Sequence, residues 1–112
     1  DKVDRKKAIE DASKYAMEIP FKVMETSYES FQVIRAMAEH GNPNSVSDAG
    51  VGALCALTAV EGAYLNVKIN ASGISDKKFT QDLLDRGAEI AQKAKSCRDE
   101  VIEIVDQKIS EL

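Results

Sequence analysis

Two cysteines, one histidine and no cluster of basic residues occur among the 112 residues of this sequence, and each scarcity excludes something. Cys55 lies in an apolar stretch and Cys97 in a helical pattern, so they read as two buried thiols and not as a disulfide framework. That fits a reducing cytoplasm. A formal charge of −4 and a pI near 5.0 give no generic attraction to phosphate backbones or anionic lipid. Nucleic acid and membrane surfaces are therefore not expected partners. The uncharged run from Ala49 to Val60 is shorter than the ~18–20 apolar residues of a membrane span, and Asp1 to Lys7 is too charged for a signal peptide. No His/Cys/carboxylate spacing of the zinc kind, no GxSxG and no glycine-rich phosphate loop is present, so metal and nucleotide cofactors find no support. The one histidine, His40, stands before Gly41, where it suits the end of a helix dipole or open solvent.

What is present is globular in composition: 44% of residues are hydrophobic and 30% charged, in a length that suits one domain over residues 1–112. Val3, Ile9, Ala12, Ala16 and Ile19 recur at helical steps, with Lys6, Lys7, Glu10 and Asp11 on the other side, as in an amphipathic helix. Pro20 predicts a kink or short break. Helix then resumes along Val23, Met24, Ser27, Phe31, Ile34 and Ala38 to Gly41, which suits a left-handed cap. After the turn Asn42-Pro43-Asn44-Ser45, a second helix from Ser45 or Ser47 to about Asn70 alternates alanines with larger aliphatics and has almost no polar face in its first three turns. Such a helix belongs in the middle of a bundle. Following a loop at Ala71 to Ile74, Ser75 is the expected N-cap of a last helix whose stripe of Phe79, Leu83, Ile90, Ala94, Cys97, Val101, Ile104 and Ile109 would run roughly 50 Å. Helices of that length usually lie against a partner subunit or further chain. The fold class is all-α.

Asp48 is the one acid at the mouth of the apolar helix, and two readings stand beside each other. In the structural one, Ser45-Val46-Ser47-Asp48 forms a capping box, with the acid reaching back to the N-cap N–H. In the functional one, Gly50 and Gly52 admit close approach of a ligand or another helix, and the helix N-terminus leaves a carboxylate with a tuned proton affinity. Asn66 and Asn70 share a helix face and can orient a polar ligand, but Asn66 lies ~27 Å from Asp48 along one straight helix. Only a second subunit could bring them together.

The segment GNPNSVSDAGVGALCALTAVEGAYLNVKIN, Gly41 to Asn70, resembles the signature of the formiminotetrahydrofolate cyclodeaminase family, which includes methenyltetrahydrofolate cyclohydrolases. The pattern is GNxNxxSD, then a small-residue helix, then GAxxNVxIN; flanking agreement is looser but covers the chain. The resemblance implies an all-helical antiparallel bundle of long helices that forms a homodimer or higher oligomer. It also implies a folate substrate with no cofactor beyond tetrahydrofolate itself, and a cytoplasmic place in one-carbon metabolism beside histidine degradation. A formiminotransferase is the implied protein partner. It makes Asp48 the acid–base residue, with Asn42, Asn44, Ser47, Asn66 and Asn70 binding substrate; Arg35, Lys68 and Arg86 read first as ordinary surface charges and only second as receivers of the polyanionic folate tail. Members of the family usually begin with a PTPGGG-like segment that is not found here, so the chain resembles the second half of the domain. The alternative is a non-catalytic helical module in which the small-residue helix serves close packing and oligomer assembly.

Overall fold

The computed structural model describes all residues, Asp1–Leu112, as three α-helices without a strand: α1 (Lys2–His40), α2 (Val46–Ala71) and α3 (Lys77–Ser110), with a short 3₁₀ turn at Pro43–Ser45. Helix α1 begins where the Asp1 carboxylate accepts from the N–H groups of Val3 and Asp4 at 2.7 and 3.1 Å. Of the kink or short break expected at Pro20, the break does not occur, and the helix is continuous through it. The missing proline N–H leaves the Ala16 carbonyl without its helical donor. Asn70 Nδ2 on α2 donates to that carbonyl instead, at 3.2 Å.

Gly41 does not adopt the left-handed cap its residue type suggested. Its backbone is extended (φ −77°, ψ 179°) and its N–H bonds the Met37 carbonyl. A Cβ there would sit 2.5 Å from the Met37 oxygen, so the glycine answers to close approach and not to a positive φ. The N-cap of α3 is Asp76 and not Ser75; its carboxylate accepts from Phe79 N–H at 3.2 Å. Ser75 is occupied differently. Its N–H and hydroxyl, together with the Asp76 N–H, donate to the Glu10 carboxylate of α1 at 3.0, 2.7 and 3.0 Å. Lys14 joins this clamp through Asp76 at 2.8 Å.

The Ser75 hydrogen bonds hold the Glu10 carboxyl below its usual pKa of 4.5, and the bond from Lys14 lowers that of Asp76. A carboxylate depressed in the fold contributes stability above its unfolded pKa and loses it as pH falls through the folded value. Thermal midpoints should therefore hold steady near neutrality and decline below about pH 4.5. In Glu10→Gln that acid decline should be shallower, as read by circular dichroism melts across the same range.

The core joins all three helices through Met17, Met24 and Phe31 of α1, Ala53, Val60 and Val67 of α2, and Leu83, Ala94 and Val101 of α3, all buried. At Gly87 of α3 an added Cβ would lie 2.7 Å from the ring of Tyr64, whose hydroxyl donates to the Leu84 carbonyl at 2.9 Å. The ring is pinned at its far end and cannot swing aside cheaply. Gly87→Val should thus cost about 2 kcal/mol in urea unfolding, overpacking outweighing the small gain in helix propensity.

The molecule is a rod of 68 × 18 × 16 Å with a radius of gyration of 18.2 Å, against about 13 Å for a compact chain of this length. Its long shape leaves apolar surface outside. The stripe the sequence offered as the buried face of early α1 points outward: Val3, Ile9 and Ile19 are 76, 58 and 48% exposed, while Met17, Phe21 and Met24 turn inward. Helix α2 is likewise covered on one side only, since Val51, Leu65 and Ile69 are exposed. Together with its leading turn, Pro43–Ala71 is long enough to cross a membrane and contains an 18-residue window apolar enough to do so, at a mean hydropathy of 1.3, contrary to the shorter run counted in the sequence. In this fold that apolarity packs against α1 and α3 on one side and lies open on the other.

Candidate functional site

Asp48 is the third residue of α2, on an exposed turn of the helix. The capping box is not formed. Ser45 occupies the N-cap position with no side-chain hydrogen bond, and the Asp48 carboxylate has no hydrogen-bond or ion-pair partner in the chain. Asp is one methylene shorter than the Glu that usually closes such a box. What remains is an uncommitted carboxylate near free helical N–H groups, where the helix dipole favours negative charge.

The turn ahead of it is held by Asn42, whose Oδ1 accepts from Asn44 N–H at 2.9 Å while its carbonyl accepts from Ser45 N–H at 2.9 Å. Asn44 and Ser47 are exposed on the same end of α2 as Asp48. The two glycines serve helices and not a ligand. A Cβ at Gly50 would meet Val105 of α3 at 3.4 Å, and one at Gly52 would meet Ile34 of α1 at 3.7 Å.

Asn66 and Asn70 lie toward the other end of α2 and line a groove of about 640 Å³ with Ile19, Pro20, Val23, Thr58 and Gly62. Asn70 has one amide hydrogen committed to Ala16, so Asn66 is the freer of the pair. Asp48 and Asn66 stand five turns apart on one face of α2, which within one copy keeps them ~27 Å from each other. The structure thus brings Asn42, Asn44, Ser47 and Asp48 to one end and Asn66 and Asn70 to the other. Sequence reasoning missed the α1 side of this groove. Its signal was present: the uncharged stripe containing Ala16, Ile19 and Val23.

Among the basic candidates, Arg35 is held by Glu39 and Glu100 at 2.8 and 2.5 Å, and Arg86 by Asp82 at 3.2 Å. Lys68 lies over the Tyr64 ring, 4.6 Å from its centroid. His40 is exposed, 3.5 Å from a Glu39 carboxylate oxygen. The expectation of two buried thiols fails for Cys55, which is exposed on the outer side of α2; Cys97 is half-buried, and burial pushes its thiol pKa up.

Residues 1–89 match the family model described as formiminotransferase-cyclodeaminase. Across 98% of its length the chain is 31% identical to a methenyltetrahydrofolate cyclohydrolase of Methylorubrum extorquens, of which it covers 53%. It is 33% identical over 90% of its length to a formimidoyltransferase-cyclodeaminase of Dictyostelium discoideum, covering 19% of that protein, and 32% identical over 80% to the one of Rattus norvegicus, covering 16%. The chain therefore spans about half the length of the first of these curated relatives and under a fifth of the other two.

Proposed function

Because this chain belongs to the formiminotransferase-cyclodeaminase family, we propose that it works in folate one-carbon chemistry as the second half of a cyclodeaminase-type domain, with Asp48 moving the proton. N10 of 5-formiminotetrahydrofolate attacks the formimino carbon carried on N5, a C–N bond forms, and ammonia departs to leave 5,10-methenyltetrahydrofolate. With the formimino group protonated as an amidinium, the attacking nitrogen loses a proton and the departing nitrogen gains one, so that NH3 leaves and the positive charge stays on the methenyl product. A single carboxylate that accepts the first and delivers the second balances the step, a contribution of roughly 10²–10⁴-fold. The observation that carries this reading is the Asp48 carboxylate itself: it has no partner in the fold and stands in the segment that matches the family. Asn42, Asn44 and Ser47 shape its end of the helix, and Asn66 offers amide hydrogen bonds to the substrate from the other end of α2 in a second copy.

The arrangement we propose is an antiparallel bundle that dimerises in the cytoplasm. The placement of Ile34 by Gly52 and of Asn70 by Ala16 supports the opposed run of α1 and α2. The double name of the Dictyostelium and rat relatives supports a formiminotransferase as partner or fused neighbour. A second reading is opening of methenyltetrahydrofolate by water to the 10-formyl form, favoured by similarity along 98% of the chain to the Methylorubrum protein.

Two substrates separate these readings. With 5-formiminotetrahydrofolate the ultraviolet absorbance of the methenyl product should rise; with methenyltetrahydrofolate supplied, a cyclohydrolase makes that absorbance fall. Neither turnover nor folate binding, in the longest polypeptide that carries this segment, would leave only the packing module.

A further inference from the structure

Helix α1 starts without a core beneath it. None of its residues before Met17 is buried, and in that stretch only Glu10, Ser13 and Lys14 are half-buried. Glu10 stands level with the start of α3, so Lys2 to Ile9 continue beyond that point for ~12 Å with Val3 and Ile9 facing solvent. Local unfolding begins in segments of this kind, which bury little and keep their backbone hydrogen bonds open to water. A dozen residues are also marginal as a helix of their own.

Two side chains tie the stretch down. As far as Tyr15, the hydrogen bonds and ion pairs that reach beyond α1 are those of Glu10 and Lys14. Glu10 Oε1 accepts from Ser75 N–H, while Oε2 accepts from the Ser75 hydroxyl and from Asp76 N–H. Three bonds to one carboxylate form and break together. Lys14 adds its pair with Asp76 and lies 5.2 Å from the centroid of the Phe79 ring. The charges around Glu10 are few. Lys14 faces it from its own helix and Asp76 from the start of α3, and Asp11 acts on this set through Lys14. Lys77 is turned to the Ile74 carbonyl at 2.6 Å, and α2 ends in the uncharged Ile69-Asn70-Ala71. No second anion is therefore placed to receive the Ser75 and Asp76 donors when Glu10 is neutral, and a protonated carboxyl turns one of its oxygens into a donor.

We propose that Glu10 is the latch of an arm. With its carboxylate on Ser75 and Asp76, the first turns of α1, Lys2 to Ser13, stay helical; once that carboxylate is neutralised or removed, the arm unwinds as a unit of its own while the three-helix core stands. The inference does not rest on the folate reading.

Hydrogen exchange resolved to single amides tests it. At pH 7 the amides of Arg5 to Ser13 should be protected, but less than those of Ala53 to Val67 and Ala91 to Val101 in the core. Glu10→Ala, an exchange for the best helix former, should speed exchange in the arm roughly tenfold and leave the core amides unmoved. Asp11→Ala removes a neighbouring carboxylate that accepts none of the three bonds and should leave the arm close to wild type. In wild type, with intrinsic rates divided out, the arm should lose protection ahead of the core as pH falls below about 4.5, and Glu10→Ala should lack most of that dependence. An arm that exchanges as fast as an unstructured peptide, or as slowly as the core, overturns the proposal. So does a Glu10→Ala protein in which neither region changes or both change alike. Were that variant not to fold, the acid series on wild type decides alone: arm and core losing protection at the same pH would sink the latch.

Discussion

If Asp48 moves the proton as proposed, Asp48→Asn should lower the formation of methenyltetrahydrofolate by about 10²–10⁴-fold and leave the fold intact. The amide matches the carboxylate in shape but cannot exchange a proton at neutral pH, so about 3–5 kcal/mol of barrier lowering disappears. Stability should change little, because the carboxylate holds no partner in the chain. Its interaction with the helix dipole is worth about 0.3–1 kcal/mol. The measurement is product absorbance at saturating substrate beside a thermal melt. The loss should fall on kcat more than on KM, since an amide can still hydrogen-bond substrate. Equal rates in the two proteins would remove Asp48 from the chemistry.

The largest effect on folding should come from Met24→Ala. Met24 is 0% exposed, and its sulfur lies 3.5 Å from where a Cβ on Gly87 would stand, at the place where α1, α2 and α3 meet. Truncation there removes buried methylene and thioether contacts and leaves a cavity that rigid helices close only partly, at a cost of about 2–5 kcal/mol. For a domain of this size the thermal midpoint should drop by about 10–20 °C. Met24→Leu, which nearly conserves volume, should cost less than about 1.5 kcal/mol. A midpoint unmoved by Met24→Ala would show that this side chain is not at the centre of the bundle.

The helices were legible in the sequence because a 3.6-residue period and a turn at Asn42 to Ser45 are local signals. Which stripe of α1 turns inward was not. Before Pro20 the residue actually buried is Met17, which the stripe ending at Ile19 did not contain, whereas Met24, Phe31 and Ala38 of the second stripe are buried as read. Whether Pro20 breaks the helix was not legible either: its effect depends on whether something distant takes over the Ala16 carbonyl, and Asn70 does. Ser75 seemed a cap until Glu10, sixty-five residues earlier, claimed its donors. Asp48 was found by its isolation in an uncharged run and by family resemblance. That its carboxylate is uncommitted could only be seen once Ser45 was placed.

The bond from Asn70 to Ala16 makes the middle of α1 answerable to the end of α2. A ligand that recruits the Asn70 amide withdraws a side-chain donor from the Ala16 carbonyl, which Pro20 has already deprived of its i+4 N–H. Occupancy beside α2 would in this way be felt as suppleness in α1.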